Sequence, residues 1–487
     1  MSARTARPAT LPSKVAVLGF ARSGRALTGA LVERGVEVAV ADDKPASAFE
    51  GLSALEARGV RFYFSGEGPD ALRGSDPILD GAGWLALSPG VPPTHPAVTA
   101  ARARGVPVLS ELEIAWRIAE EEAEGRNRWV AVTGTNGKST TTAWIAAILG
   151  RGERPVALAG NIGTPLSGFL GTHAPRDFVC EVSSFQLEAV ERFRPDVAVL
   201  TNVTPDHLDR YASFDDYAAA KARIFGNQGA EDFAVVNADD PVASRATSRA
   251  RRVPFSRRGP APGGTWCEGG RLFSEARGKR REVIAAERVA LPGAHNLENA
   301  LAALAAAECL ETPPAAIVEG LERFAGLPHR TELVREDAGV RWVNDSKGTN
   351  VDATVKSLEG LPERSVLLIL GGRDKHGDFA KLATPVTRTA RIVLTIGEAA
   401  AKIGAVLENR VAVEACGTLD RAVARAAELA RPGETVLLSP ACASFDQYAN
   451  FEERGAHFKQ LVWQVTTGEG SDPLRGSDPM RGQTPYG

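Results

Sequence analysis

The run Gly134-Thr135-Asn136-Gly137-Lys138-Ser139-Thr140 constrains this chain more than any other stretch. It follows a strand-like apolar stretch, Trp129-Val130-Ala131-Val132-Thr133, and opens a helix-like one, Thr141 to Leu149. A strand that passes through a glycine turn into a helix belongs to α/β architecture with parallel strands. The helix N-terminus offers free backbone N–H groups, and its dipole favours an anion there. Lys138 is placed to reach β/γ-phosphates, and a Ser139 or Thr140 hydroxyl to ligate Mg²⁺. A nucleoside triphosphate is therefore the expected ligand of Gly134, Thr135, Asn136, Gly137, Lys138, Ser139 and Thr140. The strict phosphate-loop pattern wants a glycine where this chain has Val132, so the loop is a variant.

At 487 residues the chain exceeds one core, and roughly two to four domains are expected. The net charge of −3 gives no strong polyanion-binding field, and no nucleic-acid partner is expected. Cysteines 180, 267, 309, 416 and 442 form no CxxC pair, which reads as reduced thiols of a cytoplasmic protein. Residues 1–14 carry Arg and Pro but no apolar core, unlike a signal peptide. No apolar run reaches the roughly 18 residues of a membrane span. Only 11 of the 57 basic residues are lysines, among them Lys138, Lys221, Lys347 and Lys375. Against an arginine-rich background, a lysine marks places that need a point charge or a reactive amine.

Three blocks follow, with boundaries expected at 1–122, 123–326 and 327–467, and a Gly/Ser/Pro-rich tail, 468–487, expected to be disordered. The first opens with a βαβ pattern: strand Val15–Leu18, turn Gly19–Gly24, a helix to Arg34, and strand Val36–Ala41 ending at Asp42-Asp43. The stretch 251–288, rich in Gly, Pro and Arg, reads as a small hairpin-rich excursion. The third block has apolar strands at 366–370 and 435–438 with helical patterns between them.

Several polar segments follow apolar strands, where open α/β sheets bind ligands. Gly19, Ser23 and Gly24 form a turn that suits a nucleotide diphosphate, but Ala21 replaces the second glycine of a dinucleotide fingerprint; an ordinary βα turn is an equal reading. Asp42 is placed for a ribose or base edge, and Ser88 and Gly90 for the same crevice. Glu181 ends a strand and suits Mg²⁺; without the upstream loop it would read as a solvated glutamate. His207 lies in a polar, acidic strand end (201–211). Lys221, taken alone, reads as a surface helix lysine. His329-Arg330, 344–350, 371–375 and 439–447 each read alone as turns or rim charges, yet three strand-end loops in one domain suggest a single site.

Taken together, these segments resemble the Mur ligase family from about Lys14 to Gln464. The loop 134–140 marks the wider family. Glu181 to Glu188, Asp345 to Asn350 and Ser439 to Gln447 are similar to its D-glutamate-adding members. The resemblance implies three α/β domains: a Rossmann-like uridine-nucleotide domain, a central P-loop-type ATPase, and a Rossmann-like C-terminal domain that closes over the site. It implies ATP-driven amide-bond formation in peptidoglycan precursor synthesis, with UDP-N-acetylmuramoyl-L-alanine and D-glutamate as substrates, in a cytoplasmic monomer. Family roles carry over by position. Lys138, Ser139 and Thr140 would hold ATP phosphates and, with Glu181, a first Mg²⁺, and His207 a second. Lys221 would carry a CO₂-derived carbamate near that metal. Asn296, Asn299, Arg330 and Asp345 would contact ATP. Asn161 and Ser183 would meet the muramoyl substrate. Lys375, Thr349, Ser444 and Phe445 would frame the amino acid, and Lys347 and Phe451 would also be substrate-binding. Arg373 and Asp374 are assigned no role. A folylpolyglutamate synthase would lack the Ser-Ser-Phe-Gln and Asp-Ser-Lys-Gly-Thr-Asn runs. A scaffold that had lost catalysis would be expected to lose Lys138, Glu181, His207 or Lys221, and all four are present.

Overall fold

The computed structural model describes residues 11–64, 76–207, 210–374 and 377–467. The chain divides into two compact units, one reaching to Phe324 and the other starting at Ala325.

The first unit carries two sheets. Strands β1 (Lys14–Leu18), β2 (Glu37–Asp42), β3 (Arg61–Phe64), β4 (Trp84–Leu87) and β5 (Val108–Ser110) are all parallel, in the order β3-β2-β1-β4-β5. Near-continuous apolar strands are what a sheet covered on both faces requires. Val15, Val17, Val38 and Val40 enter one core, and Ala16, Leu18, Ala39 and Ala41 the other. The chain order reverses between β1 and β4, so a crevice opens beyond their carboxyl ends.

The helix Glu111–Glu122 leads on to β6 (Arg128–Thr133), β7 (Val156–Gly160), β8 (Asp177–Glu181), β9 (Val197–Leu200), β10 (Phe233–Asn237), β11 (Arg251–Ser256), β12 (Thr265–Glu268), β13 (Arg271–Ser274) and β14 (Arg281–Ala285). Their order is β14-β13-β12-β11-β10-β9-β6-β8-β7. The stretch 251–288, expected as a hairpin-rich excursion, does hold the β12–β13 and β13–β14 hairpins, and these extend this sheet. β11 pairs in parallel with β10, β12 in parallel with β11, and β12, β13 and β14 turn back antiparallel. Gly269 and Gly270, at φ +57° and +72°, make the two-residue turn between β12 and β13. Positive φ at both central residues matches the twist of the flanking strands.

The second unit holds β15 (Glu332–Asp337), β16 (Val340–Asn344), β17 (Val366–Gly371), β18 (Ala390–Ile396), β19 (Ala412–Gly417) and β20 (Thr435–Leu438), in the order β15-β16-β20-β17-β18-β19. Only β15 runs antiparallel, as an edge strand. Because β20 lies between β16 and β17, the loops after these three strands emerge side by side. Among the described residues no helix is long and apolar enough to cross a membrane. The expected tail, 468–487, lies outside the described residues.

Candidate active site

The central strand β6 pairs with β8 on one side and β9 on the other, with Val132 opposite Glu181 and Thr133 opposite Leu200. The phosphate-type loop after β6 therefore opens between Glu181 and Thr201. Val132 is a buried strand residue. The backbone special conformation falls at Gly134, φ +150°, where a Cβ would lie 2.0 Å from Thr201 Oγ1. At Gly137, φ +80°, a Cβ would lie 2.3 Å from Asn299 Oδ1. The cradle is stitched from outside. The Asn136 N–H donates to Asn202 Oδ1 at 2.9 Å, and Asn202 Nδ2 donates to Asn136 O at 3.0 Å. Thr201 Oγ1 donates to Asn136 O at 2.6 Å, and the Thr135 N–H to Asn202 O at 2.8 Å. Asn202 was legible only as part of a polar run; its backbone-like pairing needs the β6–β9 neighbourhood. Thr141 Oγ1 donates to Asn299 Oδ1 at 3.2 Å, which sets Asn299 against the loop, while Asn296 Nδ2 donates to Pro292 O at 2.8 Å. The Ser139 and Thr140 side chains are buried at the helix start.

Replacing Gly137 by alanine combines backbone strain with an overlap on Asn299. The expected cost is about 2–3 kcal/mol, or roughly 30- to 150-fold in ATP affinity. Isothermal titration measures it, and an unchanged affinity would contradict the cradle.

Two lysines meet at the loop. Lys138 Nζ donates to Gly134 O at 3.0 Å and Thr135 O at 2.9 Å. Lys221 Nζ donates to Gly134 O at 2.7 Å and lies 4.5 Å from the centre of the Tyr217 ring. Lys221 is no surface lysine: it is 2% exposed, because its helix, Phe214–Ala222, packs this face inward. Burial first, and the Lys138 charge second, push its ammonium down to about 7, against the opposing pull of Asp206 and Glu181. Glu181, also 2% exposed, accepts from Asn161 Nδ2 at 2.8 Å, and its carbonyl from the Asn161 N–H at 2.9 Å. Ser183 caps the helix Ser184–Glu188 in a reciprocal box with Gln186, which the sequence reading did not foresee.

His207 sits at φ +53°, half-exposed, with its ring 4.9 Å from that of Phe185. Among the described residues no three His, Cys, Asp or Glu side chains converge as a metal site. The local donors are a carboxylate, an imidazole, a serine hydroxyl and a lysine amine. The residues nonetheless fit a Mg²⁺-triphosphate. The glycine cradle has no room for a Cβ, hard oxygen donors lie at Ser139 and Glu181, and two amines meet one loop carbonyl.

In the first sheet, Ser88 Oγ donates to Gly19 O at 2.7 Å, and a Cβ on Gly24 would lie 2.0 Å from Gly19 O. Ser23 lies in the first turn of the helix Arg22–Glu33, and Gly90 in the turn where the Val91 N–H donates to Ser88 O at 3.0 Å. Asp42 accepts from the Phe20 N–H at 2.6 Å and the Lys44 N–H at 2.9 Å, so its carboxylate braces the glycine turn.

In the second unit, the three strand-end loops do converge. Ser439 Oγ donates to Asp345 Oδ2 at 2.7 Å, Ser357 Oγ to the same oxygen at 2.6 Å, and the Thr331 N–H to Oδ1 at 3.1 Å. Burial raises the Asp345 carboxyl, and these bonds and Arg330 draw it back. The Lys347 N–H donates to His329 O at 3.0 Å, and Lys347 Nζ lies 5.6 Å from the Phe451 ring centre. The Thr349 N–H donates to Lys347 O at 2.8 Å, Ser444 is buried, and Phe445 is 56% exposed. Lys375 lies outside the described residues. Arg454, which sequence reading missed, is 1% exposed and joins the loops after β16 and β20. Its Nη2 donates to Ser346 O at 2.9 Å and Cys442 O at 3.2 Å, and its Nε to Ser346 Oγ at 3.0 Å.

A phosphate cradle after the central strand of a largely parallel sheet, in one unit with an all-parallel sheet that has its own glycine turn, defines a multidomain α/β nucleotide-binding protein. Residues 132–307 match the Mur ligase middle domain, and 329–442 the Mur ligase glutamate ligase domain. A chain of Pelotomaculum thermopropionicum named UDP-N-acetylmuramoylalanine–D-glutamate ligase is 43% identical, over 93% of this chain and 98% of its own. One of the same name from Anaeromyxobacter dehalogenans is 44% identical, over 94% and 99%. This chain belongs to the Mur ligase family. The solved structure of UDP-N-acetylmuramate-alanine ligase MurC from Thermotoga maritima shares the fold, with a TM-score of 0.57 at 19% identity over 93% of this chain and 99% of that one.

Proposed function

We propose that this chain joins D-glutamate to UDP-N-acetylmuramoyl-L-alanine at the expense of ATP, in cytoplasmic peptidoglycan precursor synthesis. The likeness to D-glutamate ligases over nine-tenths of both chains carries the choice of substrates. The phosphate loop with its buried lysine supports the chemistry.

A carboxylate resists an amine because its oxide leaves poorly. Transfer of the γ-phosphoryl group to the muramoyl-alanine carboxylate gives an acyl phosphate and ADP. Attack by the D-glutamate amine forms a tetrahedral centre that expels inorganic phosphate and loses a proton. Lys138 and the loop N–H groups would hold the triphosphate, and Ser139 and Glu181 one Mg²⁺. His207 and a carbamate on Lys221 would hold a second. The chemistry that Mg²⁺ would supply there is neutralisation of the triphosphate charge. Asn161 fixes the Glu181 carboxylate. A carbamate needs a neutral amine: Nζ adds to the CO₂ carbon and releases a proton. An amine held near 7 supplies that form at neutral pH, and arginine does not. Gly19, Ser23, Gly24, Ser88 and Gly90 receive the uridine nucleotide. Lys347, Thr349, Ser444 and Phe445, with Lys375, receive the amino acid.

The test is phosphate release from ATP. Release that requires both UDP-N-acetylmuramoyl-L-alanine and D-glutamate is expected. Free replacement of D-glutamate by L-amino acids would overturn the reading.

A further inference from the structure

Between the two sheets of the first unit, one guanidinium bridges two loops that the proposed reaction uses separately. Arg210 Nη1 donates to Pro89 O at 3.1 Å, in the turn whose Ser88 holds Gly19. Its Nη2 donates to Glu188 Oε2 at 3.0 Å, at the end of the capped helix Ser184–Glu188. Tyr211 donates its hydroxyl to the other Glu188 oxygen. The Arg210 carbon Cζ lies 3.9 Å from the centre of the Phe185 ring, and the His207 ring lies 4.9 Å from the same ring. The N–H groups of Arg210 and Tyr211 both donate to His207 O, at 3.0 and 3.1 Å. His207 is held in the left-handed region, φ +53°, a conformation that persists only where neighbours impose it.

We infer that Arg210 is a positioning residue that straps the His207 loop to the nucleotide turn. Binding of a uridine diphosphate moiety against Ser88–Gly90 then stiffens the backbone at His207 and Tyr211 before the reaction starts. The inference rests on the nucleotide and metal roles proposed above. A lysine in its place offers a point charge that does not span Pro89 O and Glu188 together while also stacking on Phe185. Coupling between two such sites is reciprocal, and typical values change affinity about 5- to 150-fold.

The probe is UDP alone, with hydrogen exchange read at the Tyr211 amide of the full-length protein. In the parent, saturating UDP is expected to slow that exchange roughly tenfold. In Arg210→Met, UDP still binds by titration calorimetry but the slowing is lost. The same variant needs more Mg²⁺ for half-maximal ligation and has a raised KM for the UDP substrate, with KM for ATP unchanged. Glu188→Gln, which keeps size and removes the charged acceptor, weakens the same readouts without removing them. UDP binding with equal slowing in parent and Arg210→Met overturns the strap and leaves the proposed function standing. A parent that binds no UDP overturns the nucleotide reading and the strap together. A rise in KM for ATP that matches the other changes also overturns it, since general loosening would then explain the data.

Discussion

Replacing Lys221 by methionine is expected to leave the protein more stable and almost without ligase activity. The side chain keeps its volume, so the helix Phe214–Ala222 stays packed. The hydrogen bond lost at Gly134 O is partly kept, because Lys138 donates to the same carbonyl. The variant loses the only nucleophilic nitrogen proposed to carry the carbamate. Loss of one anionic arm of a metal site corresponds to several kcal/mol of transition-state stabilisation, or about 10³-fold in rate. Stability moves the other way. The folded amine titrates near 7 and the free one near 10.5. Between those values the unfolded chain holds a proton that the folded chain does not, so stability from this residue rises with pH. Below 7 both states are protonated, and the full penalty of burying the ammonium is present. Removing the amine should therefore stabilise the ATP-free protein at pH 6 by about 2–4 kcal/mol, an advantage that fades as pH rises from 7 and is gone above 10.5. Urea denaturation at both pH values and the phosphate-release assay measure the two effects. Activity close to the parent's, or lower stability at pH 6, would contradict the burial and role argued for Lys221.

The second large effect is on folding rather than chemistry. Arg454→Met is expected to destabilise the second unit by about 3–5 kcal/mol, because buried carbonyls of Ser346, Cys442 and Ala443 lose a charged donor at once. Burial lowers the guanidinium to about 10, so it stays charged throughout the physiological range. Arg454→Lys should recover little, since an ammonium does not reproduce the planar fork. Calorimetry of the full chain should show one transition falling by roughly 6–20 °C while that of the first unit holds. Equal shifts in both units would show that Arg454 does not act through these loops.

Much of the fold was legible in local pattern. The apolar strands at 15–18, 197–200 and 366–370 lie where alternating or continuous burial put them, and the glycine turns after them follow from backbone freedom. The hairpins of 251–288 were legible, but not that they continue a sheet, because Gly-Gly hairpins look alike whether they stand apart or join one. What decided it was the open edge of β10, a property of another strand. The candidate site divides the same way. The phosphate loop and its lysine are local in sequence. Asn202, Arg210 and Arg454 were overlooked because their partners lie 66, 121 and 108 residues away.

The order of strand, glycine turn and helix, and so the class of fold and the anion cradle, follows from local pattern alone. Dihedral preferences and hydrophobic period act over a few residues and need no distant partner. Which strand ends became neighbours, and with that the environment of each side chain, depended on the packed fold. Placing β6 between β8 and β9 set Glu181 and Thr201 on either side of the loop. Packing the helix Phe214–Ala222 inward turned an unremarkable lysine into an amine near neutrality. Desolvation depends on what surrounds a group from every side, and no local pattern records it.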